Sequence, residues 1–420
     1  MGIEGQPLLT DGPLAEAARG VVARLGGEGH QALFAGGAVR DALLGIEPHD
    51  IDIATSARPE QVEALFDKTV PVGKAFGVMI VVVEGIQFEV ATFREEGGYT
   101  DGRHPDEVRF ADARADAARR DFTVNGLFYD PADERVLDFV NGLADLDAGV
   151  LRAIGDPDAR FGEDRLRMLR AVRFAAQLGF SIESQTWEAL CRGAAALDAI
   201  SAERIRDELL KLLLSPRPHE GMQRLADSGL LARFLPEAVA MIGCTQPPEF
   251  HPEGDVWTHT LLMLKMMAAR AAELEEPVTP DLAWGVLLHD VAKPPTRRVA
   301  DRIRFDRHDS LGRVMTEDIL RRLRCSRDTI RVVCDLVGQH MRFMNIEDMR
   351  PARRERWLRD PAFAQHLELH TLDCLASHGS MKKVNVTQRF LDELPPLPPE
   401  RLITGRDLIS LGVPPGQALG

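Results

Sequence analysis

Cysteine, long apolar runs and net positive charge are all in short supply in this chain, and each shortage narrows what it can be. Its five cysteines, Cys191, Cys244, Cys325, Cys334 and Cys374, are odd in number, far apart and never in a CxxC pair. That excludes a disulfide or zinc-ribbon scaffold and predicts buried, reduced thiols. The longest apolar run, around Val78 to Val83, falls far short of the ~20 residues a membrane span needs. Met1 to Gly20 lacks the basic start and apolar stretch of a signal peptide, so a cytoplasmic protein with no membrane partner is expected. Repeats and low-complexity segments are absent. The formal net charge of -14 argues against a nucleic-acid partner unless basic residues are gathered locally, because phosphate neutralisation needs Lys and Arg.

What remains is the composition of an ordinary globular protein, 45% hydrophobic and 28% charged, which excludes disorder, collagen and coiled coil. At roughly 150 residues per domain the 420 residues predict two to four units. Residues 1–150 read as a compact α/β head, with short β-rich segments at Leu33 to Phe34 before Gly36-Gly37 and at Val78 to Val83 before Glu84-Gly85. Residues 151–245 change to helical spacing, with Leu166, Leu169, Ala171, Val172 and Phe174 at three- and four-residue steps and Ser201 as cap of a helix stopped near Pro216. The stretch Gln246-Pro247-Pro248 with His251-Pro252 marks a boundary to a third, helical unit over 246–400, resuming at Val256, and 401–420 reads as a loose tail.

Chemistry first shows at Gly36-Gly37-Ala38-Val39-Arg40-Asp41, followed by Asp50-Ile51-Asp52-Ile53. Alternate strand residues share a face, so Asp50 and Asp52 project together while Ile51 and Ile53 enter the core. A third carboxylate, Glu89, is offered by the strand Ile86 to Phe93, opposite Ile86, Phe88 and Val90. Hard oxygen ligands of this kind suit Mg²⁺, and two ions can clamp the attacking and leaving oxygens of a phosphoryl or nucleotidyl transfer. The glycine pair lets backbone N–H groups approach a phosphate, with Arg40 close enough to pair with it. Either piece alone would serve equally as a tight turn or a solvated strand end.

Two further segments are Arg119-Arg120-Asp121-Phe122-Thr123-Val124-Asn125 and Glu163-Asp164-Arg165-Leu166-Arg167, with Arg170 and Arg173 beyond. On a helix Asp164 and Arg167 are neighbours at i,i+3, and Arg170 and Arg173 extend the stripe. Asp only accepts hydrogen bonds and Arg only donates. Cytosine and adenine both present an amino donor beside a ring-nitrogen acceptor, which such a pair matches; guanine and uracil present the reverse. A salt-bridged amphipathic helix would carry the same letters.

These residues resemble a known family. GGAVRDALLG (36 to 45), the DxD at Asp50/Asp52, EVATFR (89 to 94), YTDGRHPDEV (99 to 108), RRDFTVN (119 to 125), EDRLRMLRAVRF (163 to 174) and ERIRDELLKLL (203 to 213) are similar, in order, to the motifs of tRNA nucleotidyltransferases, the CCA-adding enzymes of the bacterial and eukaryotic class within the DNA polymerase β superfamily. The resemblance implies an α+β protein: a polymerase-β-like head with a mixed sheet, then an all-α neck and an all-α third domain. It also implies Mg²⁺ on Asp50 and Asp52, Glu89 as third carboxylate, nucleotide contacts from Gly37, Arg40 and Arg120, base reading by Asp164 and Arg167, and triphosphate contacts from Arg170 and Arg173. Tyr99 to Val108 matches the family's flexible loop, which implies addition of CMP, CMP and AMP from CTP and ATP. Bacterial poly(A) polymerase is the nearest cousin; a basic Arg-Arg-Phe stretch expected there is replaced by Val72-Gly73-Lys74-Ala75-Phe76-Gly77.

The last third carries His259, His289-Asp290, His308, His340 and Asp373. Imidazole and carboxylate ligands on several helices can gather one or two transition metals and activate a bound water. The order H…HD…D resembles the HD phosphohydrolase superfamily, which implies phosphatase and 2′,3′-cyclic phosphodiesterase activity toward RNA ends. An HD fold without its metal would keep the same letters. His251, His219 and His378 read as ordinary interior or surface histidines. Arginine runs at 297–307, 321–331 and 350–356 answer the charge objection as candidates for a tRNA acceptor-stem track, or as solvated faces paired with Asp and Glu. An enzyme whose main activity is the HD hydrolase, or a noncatalytic RNA-binding module, are the other readings of the whole.

Overall fold

The computed structural model describes residues 12–98, 107–394 and 405–414. The chain opens with helix α1 (Pro13–Gly27), whose Ala18, Val21, Val22 and Leu25 recur at three- and four-residue steps and are buried. Beneath it lies a seven-stranded sheet in the order β3-β4-β5-β2-β1-β8-β9. Its strands are β1 (Ala32–Ala35), β2 (Asp52–Thr55), β3 (Thr69–Gly73), β4 (Val78–Val83), β5 (Ile86–Thr92), β8 (Leu127–Asp130) and β9 (Arg135–Asp138), and a separate hairpin pairs β6 (Arg94–Gly97) with β7 (Glu107–Phe110). β2 runs parallel to β5 and every other pair is antiparallel, so the sheet is mixed. β4 and β5 are joined by Glu84 and Gly85, both at positive φ (54° and 83°), the conformation that matches a two-residue hairpin to the strand twist.

β1 is buried at all four positions, as expected for a central strand covered on both faces. It runs into Gly36, at φ 68° and ψ -125°, a region essentially reserved for glycine. A Cβ there would lie 2.8 Å from Arg120 Nη1. This turn launches α2 (Gly37–Leu43), and α3 (Pro59–Leu65), α4 (Ala113–Ala118) and α5 (Gly142–Ala148) complete the head.

The neck is built from α6 (Pro157–Glu163), α7 (Arg167–Leu178), α8 (Ser184–Gly193), α9 (Ala202–Leu213) and α10 (Pro218–Asp227), with one- to two-turn pieces α11 (Leu231–Phe234) and α12 (Pro236–Val239). Ser201 occupies the cap position of α9, yet its side chain makes no capping bond. The neck is not purely helical: Val150–Leu151 pairs with Ser181–Ile182 as a two-residue parallel ladder, β10 and β11. The stretch from Glu163 into the arginines is also not one helix. Asp164 breaks it with extended backbone (φ -138°, ψ 106°), its carboxylate accepting the Leu166 N–H (3.1 Å) in a local turn bond that competes with continuing the helix.

Helices resume at Val256, as expected: α13 (Val256–Leu274), α14 (Pro280–Leu288), α15 (Lys293–Thr296), α16 (His308–Arg322), α17 (Arg327–Gln339), α18 (Pro351–Leu358), α19 (Phe363–Ala376) and α20 (Lys382–Asp392). An antiparallel hairpin, β12 (Arg297–Val299) with β13 (Ile303–Phe305), interrupts this otherwise helical unit. Of the tail, Gly405–Ser410 forms a short helix, while 401–404 and 415–420 lie outside the described residues. One continuous buried apolar cluster runs through head, neck and third unit, from Ala15 to Ala376, with α10 packed on α13 across the last junction. Cys244, Cys334 and Cys374 are buried and Cys191 and Cys325 half-buried, all as free thiols. Among the described residues no helix is long and apolar enough to cross a membrane.

Candidate functional site

Ile51 and Ile53 are buried (3% and 1% exposed) while Asp50 and Asp52 are exposed; Asp52 and Ile53 alternate within β2 as a strand requires, and Asp50 and Ile51 lead into it. The parallel register sets Ile53 beside Val90 and Ala54 beside Ala91, which brings Asp52 next to Glu89. All three carboxylates line one cavity of about 1130 Å³ together with Gly36, Gly37, Arg40, Arg120, Asp164, Arg167, Arg170 and Arg173. Partial burial, then the charges of Glu89 and Asp50, push the Asp52 carboxyl up to about 6. Carboxylates facing one cavity in this way suit a divalent cation, which would draw their oxygens together and relieve the repulsion they impose on one another.

The basic residues around these acids are already engaged. Arg40 is buried, bonded to Asp41 (2.8 Å) and to the Asn125 side chain. Arg120 pairs with Asp116 (3.1 Å) and donates to the Asn125 carbonyl (3.3 Å). Arg170 pairs with Asp121 (2.7 Å). Arg173 is buried against Glu208 (2.6 Å) and stacked on Phe174, 3.8 Å from the ring centre. Phe174 is thus ringed by Arg40, Arg170 and Arg173, an aromatic floor that sequence inspection did not single out.

Asp121 ties the head to the neck. Its Oδ1 accepts from the Phe122 N–H (2.8 Å) and the Asn125 amide (3.0 Å), and its Oδ2 from Arg170. Burial would raise this carboxyl, but Arg170 and Asn125 outweigh it and hold it at about 2. Its folded pKa lies below the unfolded one, so it stabilises the fold above the unfolded value and loses that contribution as pH falls toward 2. A shift of this size corresponds to about 2 kcal/mol. Urea unfolding between pH 5 and pH 2 is expected to show that loss in the unmodified protein and a flatter profile for Asp121→Asn; equal slopes would refute it.

Asp164 and Arg167 both face the cavity, but they do not form a pair on one helix. Asp164 is held by Arg204 (2.8 Å). Arg167 pairs with Glu163 and donates to the carbonyls of Arg160 (3.1 Å) and Arg119 (3.0 Å). Glu163 and Arg204, both inside motifs quoted from the sequence, are partners that sequence reasoning left without a role. Glu163 sits next to Asp164 in the sequence, whereas Arg204, 40 residues from Asp164, carries no local signal.

The third unit gathers its six expected residues at one centre. His289 ends α14, His308 begins α16 and His340 follows α17, all buried. Each donates its Nδ1–H to the carbonyl three residues earlier: Val286 (2.9 Å), Phe305 (2.8 Å) and Val337 (2.6 Å). Every Nε2 is therefore left turned inward. His308 Nε2 lies 3.1 Å from His340 Nε2, and Asp290 lies 3.1 Å, 3.6 Å and 3.9 Å from the Nε2 atoms of His289, His308 and His340. His259 Nε2 lies 3.2 Å from Asp373. The Nε2 atoms of His259 and His289 are buried without a hydrogen-bond partner, close to carboxylates but not aligned to donate. Buried lone pairs converging on carboxylate oxygens are the donor set of an imidazole-preferring metal. Burial alone would lower the His259 pKa, yet Asp373 and Glu253 raise it to about 9, while burial and the neighbouring His308 push His340 down to about 4.

His251 is a satisfied, half-buried histidine: its Nδ1 lies 2.8 Å from Glu253, which also receives His259. His378 makes only a local bond to the Ser380 N–H (3.0 Å). Several arginines of the candidate RNA track are paired, Arg304 with Asp301, Arg321 with Glu317 and Arg322 with Glu237.

Fold and sites together define a nucleotidyltransferase-type head on a helical neck, joined to a metal-competent HD-type unit. Three family descriptions match in the same order: Poly A polymerase head domain over residues 32–152, probable RNA and SrmB-binding site of polymerase A over 179–242, and HD domain over 256–375. The chain belongs to the family of CCA-adding enzymes. It is 40% identical over 271 residues to the CCA-adding enzyme of Latilactobacillus sakei, covering 63% of this chain and 68% of that protein. With the Lactiplantibacillus plantarum enzyme it shares 46% over 222 residues, 53% of this chain. The chain spans about half the length of several curated relatives it matches, 54% in that case. The crystal structure of the Bacillus stearothermophilus CCA-adding enzyme in complex with CTP superimposes with a TM-score of 0.69 at 28% identity, covering 97% of this chain and 90% of that one.

Proposed function

We propose that this protein adds CMP, CMP and AMP to tRNA 3′ ends, taking CTP and ATP as substrates. The observation that carries the reading is the shared cavity, which Asp50, Asp52 and Glu89 line together with Asp164 and Arg167. Family membership and the CTP complex of a relative support it. Asp50 and Asp52, with Glu89, would hold Mg²⁺; when bound, it supplies acidity at the primer hydroxyl and neutralises charge on the triphosphate. Asp164 accepts a hydrogen bond from the exocyclic amine of C or A while Arg167 donates to the adjoining ring nitrogen. Gly37, Arg40, Arg120, Arg170 and Arg173 contact the nucleotide, and their ion pairs with Asp41, Asp116, Asp121 and Glu208 hold the guanidinium groups in place beforehand. His259, His289, Asp290, His308, His340 and Asp373 would hold a transition metal for a phosphohydrolase acting on RNA ends. The corresponding division is a head over 1–150, a neck over 151–245, an HD-type domain over 246–400 and a tail over 401–420. Action on tRNA is consistent with a cytoplasmic protein. The loop Tyr99 to Val108, on which the choice of full CCA addition leans, falls at residues 99–106 outside those described.

The test is extension of tRNA lacking its last three nucleotides, with products resolved by length. CTP alone is expected to add two residues and CTP with ATP three. Long tails with ATP alone would overturn this assignment in favour of a poly(A) polymerase.

A further inference from the structure

His259 differs from the other three histidines of the HD-type centre in what holds its outer nitrogen. His289, His308 and His340 sit at helix ends and spend their Nδ1–H on a main-chain carbonyl. His259 lies inside the first turn of α13, where the nearby carbonyls are committed: Asp255 O accepts the His259 N–H (3.0 Å) and Val256 O the Thr260 hydroxyl (2.9 Å). The His259 Nδ1 bonds to a side chain instead of a main-chain carbonyl. That side chain is Glu253, whose Oε1 lies 2.6 Å from His259 Nδ1.

From this geometry we infer that Glu253 is a positioning residue for the HD-type centre: it accepts the His259 Nδ1–H and so directs Nε2, whose proton a bound metal would displace, toward Asp373 and His289. The inference rests on reading those residues as a metal site. The segment carrying Glu253 is folded over the centre at other points too, since Gln246 accepts from Lys293 (2.6 Å), itself paired with Asp290 (2.6 Å). Glu253 is 7% exposed at its side chain, and its second oxygen is buried without a partner. A carboxylate is costly in such a place unless it is anchored to cationic or N–H-donating neighbours, and here it meets two imidazoles, His259 and His251. The alternative, that His251, Glu253 and His259 are themselves ligands of a second cation, demands a bare Nδ1 on His259. A carboxylate oxygen at 2.6 Å requires that nitrogen to be protonated.

The experiment is titration of the full-length, metal-stripped protein with Ni²⁺ alone by calorimetry, in excess Mg²⁺ to saturate the carboxylate site of the head. Loss of an outer carboxylate partner is expected to weaken metal affinity by roughly 10- to 100-fold in Glu253→Ala, and by less in Glu253→Gln, whose amide oxygen still accepts the Nδ1–H. Melting of the metal-free variants, measured alongside, is expected to stay near that of the parent protein. Equal Ni²⁺ affinity in the parent and both variants would overturn the role of Glu253 while leaving the metal centre standing. If the parent itself fails to bind Ni²⁺, and His289→Ala changes nothing, the reading of the centre falls and this inference with it.

Discussion

Asp52→Ala is expected to lower nucleotide incorporation by about 10³-fold or more, since removing the ligand set of a catalytic cation forfeits several kcal/mol of transition-state stabilisation. The fold should not suffer. Asp52 sits at the cavity wall with its carboxyl pushed up to about 6 by burial, Glu89 and Asp50, so its removal relieves repulsion and breaks no ion pair. Single-turnover extension of truncated tRNA, beside a thermal melt, separates the two effects. The expected combination is lost turnover with an unchanged or raised melting temperature, a trade typical of groups kept for chemistry at the expense of stability. Turnover within tenfold of the parent protein would remove these carboxylates from the mechanism.

Arg167→Ala and Asp164→Ala are expected to act on choice of base and much less on turnover with the preferred nucleotide. Each change removes half of a donor–acceptor reader, and a good bidentate base contact discriminates by roughly 1–3 kcal/mol, or about 5- to 150-fold. The ratio of kcat/KM for CTP over UTP, and for ATP over GTP, should fall by that factor. Asp164→Ala also frees Arg204, and Arg167→Ala frees Glu163, because each reader is held by that neighbour. Arg204→Ala therefore should disturb selectivity in the same direction but less, since Asp164 keeps its bond to the Leu166 N–H. Unchanged ratios in both primary variants would reject base reading by this pair.

Local chemistry was legible wherever a short period or a strong breaker governs it. Asp50-Ile51-Asp52-Ile53 alternates by the geometry of a strand, and Gly36-Gly37 and Glu84-Gly85 mark turns that only positive φ can make. The start of α13 at Val256 and the buried end of α14 at His289-Asp290 followed from apolar spacing and a Pro-rich boundary. The spacing around Asp164 favours one continuous helical stripe, but the bond from the Leu166 N–H to the Asp164 carboxylate turns the chain there instead. Glu253 is not legible in the sequence, because an acid in an aperiodic, proline-rich linker carries no pattern.

Read alone, the residues already settled the kinds of groups available, the order of the three units and the face each strand or helix would bury, all of which depend on neighbours a few positions apart. Only the folded chain could set Asp52 beside Glu89, ring Phe174 with arginines, hand Asp164 to Arg204 and bring Glu253 onto His259. Those pairings join segments whose separation along the chain bears no relation to their distance in space. They depend on strand order, on helix docking and on where a linker folds back, and no local rule encodes these.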